Sequence, residues 1–462
     1  MNFFAAIARS PLPFSVATAP IAETGPLILA AVLLSLIVVY LASKIGGELC
    51  LRLDLPPVLG ELLGGVVVGV SALDLLTFPE GGATAADSLL MHTLAVTAGA
   101  PADLLPQIFA ASSETVSILA ELGVILLLFE IGLESDLNEL LRVGPQAAIV
   151  AIVGVVTPFV LGTGGLMLIF GTPVIPAIFA GAALTATSIG ITAKVLAELQ
   201  KLTAREGQII IGAAVLDDIL GIVILAVVAS LAKDGAVDPV RVAILIGSAG
   251  AFLIGTVVLG RLLVPYFIAL TDEMKTRGQL LVMSLTLAFG LAYVASAIQL
   301  EGILGAFAAG LVLAETEKRH AIAKQVVPVA DVLVPVFFVS VGAKTDLSVL
   351  NPFVPEHRLG LIIALFLVIV AIAGKVVTGF ALWGQKEGMP ALNRLAIGVG
   401  MVPRGEVGLV FAGVGSASGV LSESLDAAII VMVIATTFLA PPLLRVAFRQ
   451  PSEISSVEMG DS

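Results

Sequence analysis

The sequence predicts an all-α polytopic membrane protein of about thirteen transmembrane helices, with inverted repeats and two crossed discontinuous helices, the N-terminus outside and the C-terminus inside. Three observations carry this prediction. Hydrophobic residues make up 58% of the 462 and charged residues only 13%, with a mean hydropathy of +1.11. A soluble domain carries about 25% charged residues. Lys and Arg segregate to alternate loops once the apolar runs are counted in order. Two adjacent carboxylates, Asp217 and Asp218, interrupt a run that a bilayer would have to enclose.

Windows of about 20 apolar residues place spans near 27–47, 56–76, 116–134, 146–170, 174–197, 207–232 and 240–265. Further spans follow near 279–299, 302–316, 327–346, 359–383, 393–418 and 426–446, the ninth of them short enough to tilt or re-enter. Residues 1–26, broken by Pro11, Pro13 and Pro20, read as an external N-terminal tail rather than a signal peptide. Residues 447–462 read as a short cytoplasmic tail. Numbering the loops alternately gives one side sixteen Lys and Arg, from Lys44 to Arg449, and the other five: Arg9, Lys233, Arg241, Lys344 and Arg358. The rich side is cytoplasmic by the positive-inside rule, which sets the orientation. The long loop at 77–115 holds Asp87, Asp103 and Glu114 and no basic residue, as an external loop should. Lys375 and Arg404 belong to no loop; both fall inside spans.

A carboxylate at the centre of a membrane helix costs about 2.5–3.5 kcal/mol even on lenient insertion scales. Two neighbours add repulsion, so the pair must face water, a counter-charge or a cation. A cation or proton pathway is the reading this favours, with Lys375 and Arg404 as the natural counter-charges. The fifth span places Thr185, Thr187, Ser188, Gly190 and Thr192 at mid-membrane, and seven spans later the twelfth places Pro403 and Gly405 there. Pro removes a backbone donor and Gly admits unusual dihedrals, so both spans read as interrupted helices. An odd offset inverts one unit relative to the other, which is the pattern of an inverted-repeat transporter with its site at the midplane. Thr187 and Ser188 are secondary cation-site candidates. Close helix packing by small residues is the plainer explanation for the fifth span taken alone.

Several function classes are excluded. The single Cys50 rules out an intramolecular disulfide framework or a cysteine-ligated metal cluster, and His92, His320 and His357 are scattered. The chain has no zinc-protease, nucleophile-elbow or Walker A motif. Adjacent aspartates on one helix point about 100° apart, a poor geometry for an acid/base dyad, so no enzyme is expected.

These stretches resemble the monovalent cation:proton antiporter-2 family, and in particular NapA-type bacterial sodium/proton antiporters. The resemblance rests on residues 55–69 (Leu55 to Gly69), 121–134, 185–188, Asp217-Asp218, 302–310, 337–342, Gly374-Lys375 and 403–406, in this order over about 27–446. It implies a core at about 146–232 and 359–446 and a dimerisation panel at about 27–134 and 240–346. The core would move against the panel in an elevator-like way within a homodimer in the lipid bilayer, serving pH homeostasis. It also implies that Asp218 is the shared Na⁺ and proton ligand, and that Asp217 pairs with Lys375. Release of a second proton by Lys375 would make exchange electrogenic. Arg404, with Glu406 or Glu130 as partner or facing half-helix carbonyls, stands as a structural or gating charge; Glu130 and Glu61 read chiefly as structural.

No cofactor, nucleic-acid partner or nucleotide-binding domain is expected in this chain; the cargo is Na⁺ and H⁺, with Li⁺ or K⁺ as further cations. A K⁺/H⁺ antiporter of the same fold is the alternative, although the glutathione-gated relatives usually carry Gln-Asp at the pair. A cation channel is a weaker one, since conduction needs a pore with repeated weak sites. A bacterial inner membrane and a thylakoid membrane both fit.

Overall fold

The computed structural model describes residues 21–79, 82–234, 239–347, 355–382 and 392–449; the tails at 1–20 and 450–462 lie outside the described residues. Helices follow the apolar runs, and among the described residues there are sixteen and no strand. The first four are α1 (Ile21–Arg52), α2 (Pro57–Val68), α3 (Leu89–Ala98) and α4 (Leu105–Glu134). Then come α5 (Leu137–Phe170), α6 (Val174–Ala183), α7 (Ile189–Glu198), α8 (Arg205–Asp234) and α9 (Pro239–Glu273). The chain continues through α10 (Gln279–Ala297), α11 (Gly302–Ala314), α12 (Arg319–Ala343) and α13 (Pro355–Phe380). It closes with α14 (Arg394–Gly400), α15 (Glu406–Ala417) and α16 (Glu423–Phe448). Among the described residues, eight helices are long and apolar enough to cross a membrane by length and composition.

Local signals set many of the ends. Pro57 opens α2 at a position where its missing N–H costs nothing. Asp136 caps α5 by accepting from the Asn138 and Glu139 N–H groups at 2.9 and 3.1 Å, and Gly171 ends it in the left-handed region at φ 64°. Asn393 caps α14 in the same way through Ala396 N–H at 3.0 Å.

Several boundaries differ from expectation: α4 starts at Leu105 rather than near 116, α5 at Leu137 rather than near 146, and α9 runs on to Glu273 rather than 265. The first helix starts at Ile21, ahead of residue 27. The second span is helical only to Val68, because Gly69 is pressed against the backbone of Ala343 on α12 and the chain turns there. Apolar residues beyond it, such as Leu76 and Phe78, are buried without being helical. Within the 77–115 loop, Ser88 starts an additional helix, α3, by accepting from Met91 N–H.

The helices pack as two groups. In the first, α4 lies against α11 and α12, α2 against α1 and α12, and α10 against α11. Glycines let backbones touch there: Gly132 meets Gly310, and Gly65 meets Gly342, so an added methyl at either pair would strike main chain. The second group has α5 against α8 and α13, with α13 also against α14 and α16. It contains both interrupted spans, α6–α7 and α14–α15, with breaks at 184–188 and 401–405.

Candidate functional site

The two breaks cross each other and are stitched by main-chain groups that the interruptions free. Ser188 N–H donates to Pro403 O at 2.8 Å, Thr187 Oγ1 to Met401 O at 3.1 Å, and Thr192 Oγ1 to Gly400 O at 2.9 Å. Gly405 makes the crossing possible, since a Cβ at that position would lie 2.8 Å from Ser188 Oγ. Thr187 spends its proton on Met401, which leaves its oxygen lone pairs for another partner.

Arg404 is fully buried at the same crossing. Its Nη1 donates to Thr185 O at 3.2 Å and Ala186 O at 2.5 Å, carbonyls released just past the C-terminus of α6. A guanidinium there offsets the negative end of a half-helix dipole. Thr437 Oγ1 on α16 donates to Arg404 O at 2.6 Å and anchors the break from behind. Among the described side chains and backbone groups, the Thr185 and Ala186 carbonyls are the ones Arg404 Nη1 contacts. Glu130 instead lies within electrostatic reach of Lys194, Glu134 and Asp331. Glu406 opens α15, and its side chain is outside the described residues.

Beside the crossing, α8 carries both aspartates. Asp217 is 0% exposed and accepts from Lys375 Nζ at 3.3 and 3.2 Å, and Lys375 is itself fully buried. Gly154 on α5 leaves room for this ammonium, because a Cβ there would sit 3.2 Å from Nζ. Arg404 adds a second positive field on Asp217. Asp218 is only 3% exposed and also lies within electrostatic reach of Lys375. It lines a narrow crevice together with Thr187, Ser188 and Gly405 from the crossing and Glu301 and Ile303 at the start of α11. Asp217 is absent from that lining.

The structure therefore brings together Asp217, Asp218, Lys375, Thr187, Ser188 and Arg404, and leaves Glu130 elsewhere. Sequence reasoning missed Glu301, which sits between two short apolar spans and carries no motif. It also gave too little weight to Lys194 on α7, which lies in electrostatic reach of Glu61, Glu130, Glu134 and Glu198. Glu61 additionally accepts from Ser43 Oγ at 3.1 Å, consistent with a structural role.

Comparison with known proteins gives a consistent picture. The family described as Sodium/hydrogen exchanger, transmembrane, matches residues 32–450. The High-affinity Na(+)/H(+) antiporter NhaS3 of Synechocystis is 65% identical over 440 residues, 95% of each chain. The Na(+)/H(+)-K(+) antiporter GerN of Bacillus cereus is 32% identical across 89% of this chain and 94% of its own. Among solved structures, the sodium proton antiporter MjNhaP1 of Methanocaldococcus jannaschii at pH 8 shares the fold. Its TM-score is 0.58 at 16% identity, covering 91% of this chain and 99% of that one.

Proposed function

Because this chain belongs to the sodium/hydrogen exchanger family, and is thereby a multi-pass membrane transporter, we propose that it is a secondary active Na⁺/H⁺ antiporter working by alternating access. The observation that carries this is the division of labour on α8. One buried carboxylate has its charge satisfied by Lys375, and its neighbour opens on a crevice lined by hydroxyls. A small hard cation needs oxygen ligands in place of its water, which Asp218, Thr187 and Ser188 supply. A proton needs the same Asp218 charge, so binding of either excludes the other. That competition couples the two gradients without a covalent step.

A cation arriving beside the pair also competes with the Lys375 ammonium for the field of Asp217. Lys375 is then the group able to release a second proton, and two protons per ion make exchange electrogenic. The second helix group, holding the crossing, would slide as a core against the first, which would act as a fixed dimerisation panel. Leu29, Leu33, Ile37 and Leu41 on α1, four residues apart and exposed, form an apolar stripe suited to lipid or a second copy. The N-terminus is assigned outside on the Lys and Arg distribution. The similarity to a cyanobacterial relative supports either a bacterial inner membrane or a thylakoid membrane.

Potassium is the second cation to test, since the relative GerN is named for Na⁺ and K⁺. The experiment is cation-induced proton release in proteoliposomes with a pH dye and a Na⁺, Li⁺ and K⁺ series. Na⁺ should give a signal in wild type that is absent in Asp218→Asn; a mutant as active as wild type would overturn the reading.

A further inference from the structure

We propose that Glu301 is a second cation ligand of the exchange site, contributed by the first helix group across the crevice from Asp218. This rests on the antiport reading above and adds to it a carboxylate from the opposite side of the crevice. Thr187, Ser188 and Asp218 form one lip and belong to the second helix group; Glu301 and Ile303 form the other.

The mounting of Glu301 fits a ligand role. It occupies the N-cap of α11 with extended backbone, φ −69° and ψ 134°, yet its side chain makes no capping hydrogen bond. The turn beneath it is rigid. Gln299 takes the left-handed region at φ 66°, and the N–H of buried Leu300 returns to Ala295 O at 3.0 Å. Every residue of α11 from Ile303 to Leu313 is buried. The positive end of that helix points at the crevice and favours an ionised carboxylate there.

The chemistry follows from charge count. Affinity of an oxygen site for a hard cation rises with the number of carboxylates and with rigidity. With Asp218 alone the crevice offers one negative charge; with Glu301 it offers two. Because the two carboxylates belong to different helix groups, both reach one ion only when the groups stand as they do here. Sliding of the core past the panel would leave the ion with Asp218 alone and so weaken its hold.

The test compares wild type, Glu301→Gln and Glu301→Asp in proteoliposomes, reading apparent KM and maximal rate for Na⁺ and Li⁺. A ligand role predicts that Glu301→Gln raises the Na⁺ KM by about tenfold or more, a loss of about 1.4 kcal/mol of binding. The Na⁺/Li⁺ preference should change with it, and Glu301→Asp should fall between. These shifts should persist when choline chloride brings ionic strength to about 1 M, where the screening length is about 3 Å. Unchanged KM and preference in Glu301→Gln, or a KM rise that collapses in choline chloride, would overturn the proposal and leave Glu301 as a distant field or a structural residue. If Glu301→Gln loses all transport, Glu301→Asp decides: restored transport with a raised KM supports the proposal, and no recovery overturns it. Failure of the antiport reading itself is separable, because it shows as a wild type without Na⁺-dependent proton release or an Asp218→Asn variant that keeps it.

Discussion

Asp217 and Asp218 are neighbours in the chain, lie at one depth in one helix and differ in almost everything that decides chemistry. On the Asp217 side of α8 the site is closed: Lys375 Nζ sits 3.2 Å away, Gly154 makes room for it, and Arg404 adds its field. On the Asp218 side α8 faces the crevice, with hydroxyls on one lip and Glu301 on the other. The rotation of about 100° between successive residues of a helix is enough to separate the two environments. In the antiport reading proposed above, the carboxylate held by Lys375 is structural and the one at the crevice binds cargo. Depth in the membrane does not decide between the two roles.

The sharpest way to break this comparison is to neutralise each aspartate in turn. Asp218→Asn is expected to lower Na⁺-driven proton release by at least about 100-fold, roughly 2.7 kcal/mol, with a smaller loss of thermal stability than Asp217→Asn. Asp217→Asn should do the reverse in kind. It strands a buried ammonium, and breaking a buried pair from one side costs about 3–5 kcal/mol. The readout is the midpoint of thermal unfolding in detergent, with Asp217→Asn/Lys375→Met recovering most of the loss. Equal destabilisation by both single variants would erase the distinction between the two sides.

Arg404 sharpens the comparison further, because it belongs to the closed side while holding the crossing together. Arg404→Ala orphans the carbonyls of Thr185 and Ala186, which now accept from its Nη1 at 3.2 and 2.5 Å. A hydrogen bond from a charged donor contributes about 1.5–3 kcal/mol, and two are lost, so the thermal midpoint should fall by an amount comparable to that in Asp217→Asn. Arg404→Lys keeps the charge but not the planar fork, and an intermediate midpoint is expected. If the two variants were indistinguishable from wild type, the guanidinium would be a bystander at the break.

Much of this was legible in the sequence, for identifiable reasons. Membrane residence shows in hydropathy, and the breaks show as hydroxyls, Gly405 and Pro403 where an apolar helix needs none. The pairing of Lys375 with one aspartate follows from the scarcity of buried positive charge. What hydropathy does not encode is helicity, so the irregular stretch between Val68 and the buried Leu76 read as part of a span. Glu301 was invisible for a different reason: its place opposite Asp218 arises from two helix groups meeting across a sequence separation that no local pattern records. Arg404 was legible as a buried charge, whereas its partners were not, because backbone carbonyls carry no sequence signature.

The smallest effect is expected where the two helix groups meet at an exposed surface. Asp54, in the turn after α1, accepts from Arg445 and Arg449 on α16 at 2.8 Å each. Hydrogen bonds from Arg445 first and Arg449 next hold its carboxyl below the usual carboxylate range. A depressed carboxyl of this kind contributes stability that is fully present above its unfolded value of about 3.9 and is lost as pH falls through the folded one. Water screens an exposed pair, so its contribution should be small. Asp54 also has φ 62°, a left-handed conformation that Asn tolerates, so Asp54→Asn removes charge without straining the turn. Transport at neutral pH should match wild type, the thermal midpoint there should fall only slightly, and the difference should vanish on acidification, where wild type loses the contribution that the variant lacks. A marked loss of transport at neutral pH would mean that an exposed ionic tie between the groups governs their movement. The contrast between Asp217 and Asp218 would then explain ion binding but not the step that carries the ion across.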